Sequence, residues 1–453
     1  MSLTDAAMRN RILAALAPEP VSSLRLAVAF IASLGCTMLA RPVACQTPVD
    51  PSVAASKSVE GLSEIVVTAQ RREENIQQTP ISVTALAGEQ LTKFGIRDFA
   101  DYAKLVPNLS FGMGGSPFGG PAFGYSSTRQ IVIRGVAGAN TTNLYINDTP
   151  IPNVVDPRVL DLERIEVLRG PQGTLFGGSS MGGTVRLITK TADPKTMSGA
   201  LDVQAFDINA GGAGYDVSGS VNVPVVANIA ALRLSVFNTF DPGYFTRIYG
   251  VANVPGVDFA PGTQLRGQTN FGDTREYGGA ASILITPELI PGLAVVPMVM
   301  LQRFNVNGYP LAEGHAGNFT QVRPLDVQQG SLAQWQFYAL TAKYAASFGD
   351  FISSTSYFHR YSQDAEDGTM WFAFFQDYYY SPLPYLAATV VQSYGTREVT
   401  QELRFSISSS GSDSIRRRSF LPKDRYDLSV FLFCTRPQRS ERVHSRDRQY
   451  FSR

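Results

Sequence analysis

The stretch that decides the fold is DLERIEVLRGPQGTLFGGSSMGGTVRLITK, which runs from Asp161 to Lys190. Its first part predicts a β-strand, with Ile165 and Val167 on one side and the charge of Glu166 on the other. Pro171 ends this strand, because proline cannot donate a ladder hydrogen bond and fixes its own φ. The glycines that follow permit positive φ and close backbone approach: Gly173, Gly177, Gly178, Gly182 and Gly183. Period-two alternation resumes in TVRLITK, so the stretch predicts a strand, a glycine-rich turn region and a second strand.

The same stretch carries a family resemblance. Its segments EVLRGPQGTLFG and TVRLITK resemble the end of the plug domain of a TonB-dependent outer-membrane receptor. Upstream, TPISVTAL, DFADYAKLVPNLS and the IRG signature at 133–135 are similar to the same plug. The resemblance covers about Ile65 to Phe405. It implies an α+β plug domain followed by antiparallel transmembrane β-barrel strands, in an all-β barrel that is incomplete here.

Composition excludes some classes of function. The chain has 453 residues and a net charge of +1, so charge implies neither a nucleic acid nor an anionic surface as partner. Its 40 glycines, 19 tyrosines and 27 phenylalanines suit many short strands and turns. Cys36, Cys45 and Cys434 form neither a disulfide framework nor a zinc-type spacing.

The N-terminus predicts export. Basic residues precede the apolar run LAVAFIASLGCTMLA from Leu26 to Ala40, which is too short for an ordinary spanning helix. Small residues follow near Ala44 and Cys45, so residues 1–45 are interpreted as a secretory signal peptide. A buried helix or an anchor is the alternative. Export of a receptor of this family places it in the bacterial outer membrane.

Residues 46–70 are interpreted as a periplasmic linker, and residues 46–63 of it should be flexible because they are rich in Pro, Ser, Ala and Val and have no period. The linker ends in EIVVTA. A β-prone segment of this kind can pair with the sheet edge of another protein, or it can be the first strand of the next domain. The segment resembles the TonB box of the family, which implies that a TonB-type energy-transducing protein binds Glu64, Ile65, Val66, Val67, Thr68 and Ala69.

Residues 71–192 are predicted to form the plug. Ile81 to Leu86 alternate as a short strand. Asp98 is a plausible N-cap for a helix over Phe99 to Val106. Val159 to Arg164 is interpreted as a short helical approach to the next strand. Several strands with short helices predict an α+β sheet that ends near Lys190.

The stretch FGMGGSPFGGPAFGYSS, residues 111–127, has no period and predicts a loop. Its GMGG does not fit a dinucleotide fingerprint, because neither the spacing nor a preceding strand matches. Phe118, Phe123 and Tyr125 would be unusual on a purely solvated surface. The resemblance implies that this loop stands at the extracellular apex of the plug and faces the ligand. The alternative is a loop that packs against the barrel wall.

Two arginines lie in the most characteristic signatures, Arg134 in IRG and Arg169 in LRGP. A guanidinium group can bind a carboxylate through two hydrogen bonds. The resemblance implies that Arg134 and Arg169 join the plug to the barrel, with Glu166 and Glu402 as further members. The alternative is two exposed arginines that contribute little to stability.

Residues 196–407 are interpreted as the N-terminal part of the barrel. Segments of about ten residues alternate and are separated by long irregular stretches at 241–275, 305–330 and 363–394. A soluble β-sandwich would alternate likewise, but the signal peptide and the plug favour the barrel. The range has room for roughly nine or ten strands, whereas complete family members close about 22.

Residues 408–453 are crowded with arginine and alternate little. A basic tail that binds nucleic acid is one interpretation. A truncated or frame-shifted end is the preferred one, because nothing else in the chain indicates nucleic acid. A partial sheet leaves unpaired edges, which lipid strongly disfavours, so this product is not expected to form a sealed transporter alone.

The sequence does not favour an enzyme, because the chain has only three histidines and lacks a G-x-S-x-G elbow, a metal-ligand cluster and a Gly-Lys phosphate loop. We expect no catalytic residues, no metal and no cofactor. The resemblance implies active, TonB-driven uptake of a scarce nutrient such as a ferric siderophore, by a receptor that contacts outer-membrane lipid. The second hypothesis is a non-transporting truncated fragment that binds TonB, or a pseudogene product. No residue selects the cargo.

Overall fold

A computed structural model describes most of the chain from Val66 to Ile407 and a short strand at 427–430. The gaps within that range are residues 69–73, 78, 80, 114–128, 139–140, 153–154, 250–251, 254–257, 260–265, 310–316, 318, 324–326, 328 and 370–388. The predicted signal peptide, most of the linker, Phe118, Phe123 and Tyr125 of the 111–127 loop, and nearly all of the arginine-rich tail lie outside the described residues. Those interpretations stay predictions. The loop prediction is wrong for residues 111–113, which belong to the strand Leu109–Met113 because they pair with a neighbouring strand.

A small domain occupies the N-terminal part of the described chain. Its strands and the short strand before it are β1 (Val66–Val67), β2 (Glu74–Asn75), β3 (Val83–Ala87), β4 (Leu109–Met113), β5 (Arg129–Ile133), β6 (Thr142–Ile146), β7 (Thr149–Ile151), β8 (Leu162–Arg169) and β9 (Gly183–Thr189). Its helices are α1 (Gly88–Lys93), α2 (Phe99–Leu105) and α3 (Gly173–Phe176). Five strands form one sheet in the order β3-β8-β9-β6-β7. β6 and β9 run parallel, and the other neighbours run antiparallel.

The centre of this sheet is the stretch from Asp161 to Lys190. β8 and β9 pair antiparallel, with Ile165 opposite Leu187, and both side chains are buried in the main core. Gly183 begins β9 at φ 150°, and a Cβ there would lie 2.2 Å from the carbonyl oxygen of Leu168. The predicted strand, turn region and strand are confirmed, with α3 inside the turn region.

The predicted helix after Asp98 is also confirmed. The carboxylate of Asp98 accepts a hydrogen bond of 3.0 Å from the backbone N–H of Asp101, which satisfies one free donor of the first turn of α2. Phe99 and Tyr102 are buried on one face of α2, and their rings meet edge to face at 4.9 Å. This face covers one side of the sheet.

The helical interpretation of Val159 to Arg164 is wrong. β8 begins at Leu162, and the residue before it, Asp161, has φ 54°. The backbone carbonyl of Asp161 accepts a hydrogen bond of 3.1 Å from the N–H of Lys190. The segment therefore extends the pairing with β9, because hydrogen bonds across the sheet replace those of a helical turn.

The second part of the chain is almost entirely strand. The strands are β10 (Ser198–Ile208), β11 (Gly212–Val226), β12 (Ala230–Asp241), β13 (Phe245–Tyr249), β14 (Ala252–Asn253), β15 (Asp258–Phe259), β16 (Arg266–Phe271), β17 (Asp273–Ile285), β18 (Leu293–Asn307), β19 (Thr320–Arg323), β20 (Gly330–Ala346), β21 (Gly349–Asp367), β22 (Thr389–Ile407) and β23 (Asp427–Val430). Nine of them form an antiparallel sheet, here called the wall, in the order β10-β11-β12-β17-β18-β20-β21-β22-β23. The three-stranded sheet β16-β13-β19 is here called the cap sheet.

The wall has fewer strands between 196 and 407 than expected, because the strands are longer than the ~10 residues assumed. Eight wall strands lie there, and β21 and β22 have 19 residues each. Across the described residues the sheet is open, since its order begins at β10 and ends at β23. The irregular stretches at 241–275 and 305–330 contain the cap-sheet strands.

One face of the wall packs against the small domain. Met298, Trp335, Phe337 and Phe358 of the wall belong to the same buried cluster as Ile165 and the rest of the small-domain core. On β20 the next side chains along point the other way, and Tyr338 and Leu340 are 43% and 49% exposed. A face of exposed tyrosine and leucine is typical of a barrel surface in contact with lipid.

Candidate functional site

The segment Val66–Thr68 lies on the sheet face of the small domain that α2 leaves free. Its strand β1 pairs with β2, with Val67 opposite Glu74. The side chain of Val67 is fully buried in a second apolar cluster with Tyr145, Leu168 and Phe176. The segment is therefore docked on the small domain through an apolar side chain.

Polar contacts at Thr68 reinforce this docking. Its backbone N–H donates to Oε1 of Glu166 at 2.8 Å. Arg186 donates from Nη1 to the carbonyl oxygen and to Oγ1 of Thr68, both at 2.6 Å. Nη1 of Arg186 also donates to Oε2 of Glu166 at 2.7 Å, which joins the three residues in one cluster. Hydrogen bonds to charged groups are the stronger ones, so this docking is specific.

Glu166 carries the negative charge of this cluster. Burial alone would raise its pKa, but the charge of Arg186, the N–H of Thr68 and Arg164 together hold the pKa of Glu166 below its usual value. Nε of Arg164 donates to Oε1 of Glu166 at 2.8 Å. The carboxylate is therefore ionised at neutral pH, although its residue is fully buried.

Four carboxylates carry the described ion pairs between the small domain and the wall: Asp161, Asp216, Asp148 and Glu276. Oε2 of Glu276 on β17 lies 3.8 Å from Nη1 of Arg158. Asp161 accepts two hydrogen bonds of 2.6 Å from Arg233 of β12. Asp216 of β11 pairs with Arg158 and, at 3.2 Å, with Arg97. These pairs are partly buried, so solvent screens them less than it would exposed pairs.

The remaining carboxylate is Asp148, in the turn between β6 and β7. Its Oδ2 lies 3.1 Å from Nζ of Lys343 on β20, and its Oδ1 lies 3.4 Å from Nη2 of Arg404 on β22. A neutral contact follows at the next residue, where the hydroxyl groups of Thr149 and Ser354 are 2.8 Å apart. This turn of the small domain therefore contacts two wall strands, β20 near the middle of the strand order and β22 near its last strand.

Comparison with known proteins decides what the small domain is. Residues 75–184 match the family model of the TonB-dependent Receptor Plug Domain. The small domain is a TonB-dependent receptor plug. The fold of the whole described chain agrees, because plug and open antiparallel wall resemble the ferric yersiniabactin uptake receptor FyuA from Yersinia pestis, with a TM-score of 0.57 at 16% identity over 73% of this chain and 46% of that one.

Curated relatives are receptors or outer-membrane proteins by name. The chain is 31% identical over 140 residues to the iron-regulated outer membrane virulence protein of Vibrio cholerae serotype O1, which covers 28% of this chain and 20% of that protein. It is 29% identical over 203 residues to the catecholate siderophore receptor Fiu of Escherichia coli K12, which covers 43% of this chain and 24% of that receptor. The chain thus matches about a quarter or less of the length of these relatives.

The structure does not bring the four predicted plug-to-barrel residues together. The described partners of Glu166 belong to the plug and the docked segment, because β1 and β2 cover the sheet face on which its side chain lies. Arg169 donates to the carbonyl oxygen of Pro107 in the plug at 3.3 Å. Arg134 is exposed at φ 55°, and Glu402 lies 3.4 Å from Arg404 of its own strand.

Sequence reasoning missed Arg186 and Asp148. Arg186 interrupts the buried run of β9, where neighbouring residues are apolar or small, and a charge at such a position signals a buried partner. Asp148 follows Asn147 in the turn between β6 and β7, and an Asn-Asp pair is typical of turns that need a positive φ, such as the 54° of Asn147. That signal predicts a turn but does not identify a partner on the wall.

The cap sheet lies at the other end of the wall strands. β13 begins at Phe245, shortly after β12 ends at Asp241, and β16 ends at Phe271, just before β17 begins at Asp273. Lys343, which faces Asp148, lies near the opposite end of the wall strands. In the cap sheet, Arg247 is 2% exposed and donates to the carbonyl oxygen of Val327 at 2.6 Å. Its guanidinium carbon lies 5.1 Å from the centre of the Phe271 ring. The docked segment and the cap sheet therefore mark two opposite ends of the molecule.

Two kinds of feature are absent from the described residues. No group of three or more His, Cys, Asp or Glu side chains there could hold a metal ion. No helix in the described part of the chain is both long and apolar enough to cross a membrane.

Proposed function

We propose that this chain is the plug-bearing part of an outer-membrane receptor that takes up a scarce nutrient, of the ferric siderophore class, with energy delivered through TonB. The observation that carries the proposal is the docked segment before the plug. A short strand that is held, among the described contacts, by the apolar side chain of Val67 and a few polar contacts can be withdrawn and paired with another sheet edge. The names of the relatives support the cargo class, since they include a catecholate siderophore receptor and an iron-regulated outer membrane virulence protein.

The proposed partners follow from the same arrangement. A TonB-type protein binds Glu64 to Ala69 at one end, and the extracellular ligand enters at the cap-sheet end. The exposed apolar face of the wall contacts outer-membrane lipid. The predicted ligand-facing residues Phe118, Phe123 and Tyr125 remain part of the proposal. No partner of the nucleic-acid class is proposed.

The binding half of the proposal is tested with a peptide spanning residues 63–70. We expect an immobilised peptide to retain purified TonB-type C-terminal domain. A matched peptide with Val67→Pro should lose binding, because proline cannot donate the main-chain hydrogen bond that strand pairing needs. Equal retention by both peptides, or by neither, would remove the TonB-box assignment.

A second candidate is a fragment that binds TonB without transporting cargo. The wall is open across the described residues, and this favours the fragment, because an unpaired strand edge within a bilayer leaves backbone groups without partners. Uptake of radiolabelled ferric siderophore by cells that express the full chain and lack other receptors separates the two. TonB binding together with uptake supports the receptor, and TonB binding without uptake supports the fragment.

A further inference from the structure

One guanidinium group contacts both the docked segment and the plug turn that reaches the wall. Nη1 of Arg186 holds Thr68 and Glu166 at 2.6 to 2.7 Å. Nη2 of the same side chain donates to the carbonyl oxygen of Asn147 at 3.2 Å and lies 3.7 Å from Oδ1 of Asp148. Arg186 is 2% exposed, so water screens these interactions little.

Asp148 is shared in turn with the wall. Lys343 and Arg404 lie 3.1 and 3.4 Å from its two oxygens, so three cations surround one carboxylate. Such an arrangement is competitive, because a carboxylate that moves closer to one cation interacts less well with the others. Among the described contacts, neither Lys343 nor Arg404 touches residues 66–68. Any influence of these two wall residues on the segment must therefore pass through the plug.

We propose that Arg186 and Asp148 are positioning residues that couple docking of the Val66–Thr68 segment to the seating of the plug on β20 and β22. While the segment is docked, Thr68 and Glu166 hold Arg186 away from Asp148, and Asp148 holds Lys343 and Arg404. When the segment is withdrawn, Arg186 loses both Thr68 oxygens and is drawn to Asp148, which loosens the wall. By linkage, loosening the wall promotes withdrawal to the same degree. This coupling rests on the proposed function in one respect, namely that TonB is the protein that withdraws the segment.

The test measures withdrawal directly. In the full chain with Cys36, Cys45 and Cys434 changed to serine, Val67→Cys places a thiol at a fully buried position of the docked segment. Its labelling rate by a maleimide, relative to that of the denatured chain, reports how often the segment undocks. Neither TonB nor cargo is added.

Lys343→Met is the informative variant, because its side chain is 53% exposed and its loss leaves the core intact. Without the Lys343 charge, Asp148 attracts Arg186 more strongly, and we expect labelling at position 67 to accelerate about two- to fivefold. In an Asp148→Asn background the same change should have no effect, because the neutral amide no longer attracts the guanidinium. Lys343→Arg keeps the charge and should label at the parent rate.

The matched control is Arg233→Met. It removes another ion pair between wall and plug, that of Arg233 with Asp161, and no described contact joins this pair to Arg186. We expect labelling at position 67 to stay at the parent rate. An equal acceleration in Lys343→Met and Arg233→Met would show general loosening of the plug and overturn the coupling. An unchanged rate in Lys343→Met, or an acceleration that persists in Asp148→Asn, would overturn it as well.

The two proposals fail separately. If the peptide does not bind TonB, the proposed function loses its partner, but the labelling result still stands. If labelling does not respond to Lys343, the coupling is wrong, and a receptor whose segment simply detaches remains.

Discussion

Glu166 is an ionised side chain that reaches no solvent, and the cations around it stabilise it. Arg186, Arg164 and the N–H of Thr68 face its two oxygens, and Asp148 lies beyond Arg186. Removing one partner of a buried ion pair is costly, because the remaining charge stays buried without compensation. The fold therefore depends on this residue more than on any exposed charge of the same strand.

The first prediction compares Glu166→Gln with Glu163→Gln. The glutamine at 166 keeps an acceptor for Thr68 but leaves Arg186 and Arg164 without their shared countercharge, so the free energy of unfolding should fall by about 3–5 kcal/mol. Glu163 is 52% exposed and pairs with the same Arg164, so its change should cost less than about 1 kcal/mol. Urea unfolding in a Trp371→Phe background, followed by the fluorescence of Trp335 of β20, which packs against the plug core, measures both. Similar losses in the two variants would contradict the assigned role of Glu166.

The second prediction concerns pH. Because the pKa of Glu166 in the folded state lies below its usual 4.5, its contribution to docking is fully present above pH 4.5 and is lost as pH falls through the folded pKa. In the chain whose three native cysteines are changed to serine, a nitroxide label on Glu64→Cys should therefore show one unchanged spectrum from pH 8 to pH 5 and become mobile only at lower pH. In Glu166→Gln the transition should be absent. Release of the label between pH 5 and pH 7 would assign the docking to a different titrating group.

At the scale of elements, β8 and β9 approach so closely that one position admits only glycine. Gly183 combines φ 150° with a carbonyl oxygen that a Cβ would meet at 2.2 Å. Both the backbone conformation and the space exclude a side chain. Within the glycine run of the sequence, Gly183 is therefore required for the close approach of β8 and β9.

The third prediction compares Gly183→Ala with Gly173→Ala. The first should lower the free energy of unfolding of the plug by about 1–3 kcal/mol or more, because it adds strain and a clash in the central strand pair. Gly173 lies in α3, where an added methyl group would meet nothing within 4 Å, so alanine there should be neutral or slightly stabilising. Thermal unfolding of the two variants side by side measures the difference. An unaffected Gly183→Ala protein would show that the β8–β9 pair can shift.

Local pattern predicts the elements that depend on neighbours in sequence. The alternation in β8 and β9 and the cap at Asp98 are confirmed, because a strand face and a helix start are fixed within a few residues. The helical interpretation of Val159 to Arg164 is wrong, since pairing with β9 outweighs local preference. The contacts at Asp148 could not be predicted, because its partner Arg404 is 256 residues away in the chain. Partners at such distances are set by the sheet order, which local pattern does not contain.

At the scale of the whole molecule, the wall is a sheet with two different edges. On one side β10 pairs, among the described strands, with β11 alone, and the first eight residues of β10 are all exposed. On the other side, within the described part of the chain, β23 covers β22 along four residues, from Leu403 to Ser406. The centre is continuous, with β18 paired on both sides. The unpaired backbone of the edges makes them the places where another strand can add.

The last prediction follows from this asymmetry and is measured by hydrogen exchange on the full chain in detergent. The amides of β10 that point away from β11 should exchange orders of magnitude faster than those of β18, because they have no cross-strand acceptor within the described part of the chain. The amides of β22 that point away from β21 should exchange as fast as those of β10 at residues 389–402. At residues 403–406, where β23 pairs with β22, they should be partly protected. Dilution serves as the control, since protection that arises from pairing between copies falls with concentration. If β10 is as protected as β18 at every concentration, its edge is paired within the chain, and the wall closes in a way that the open order of strands does not show.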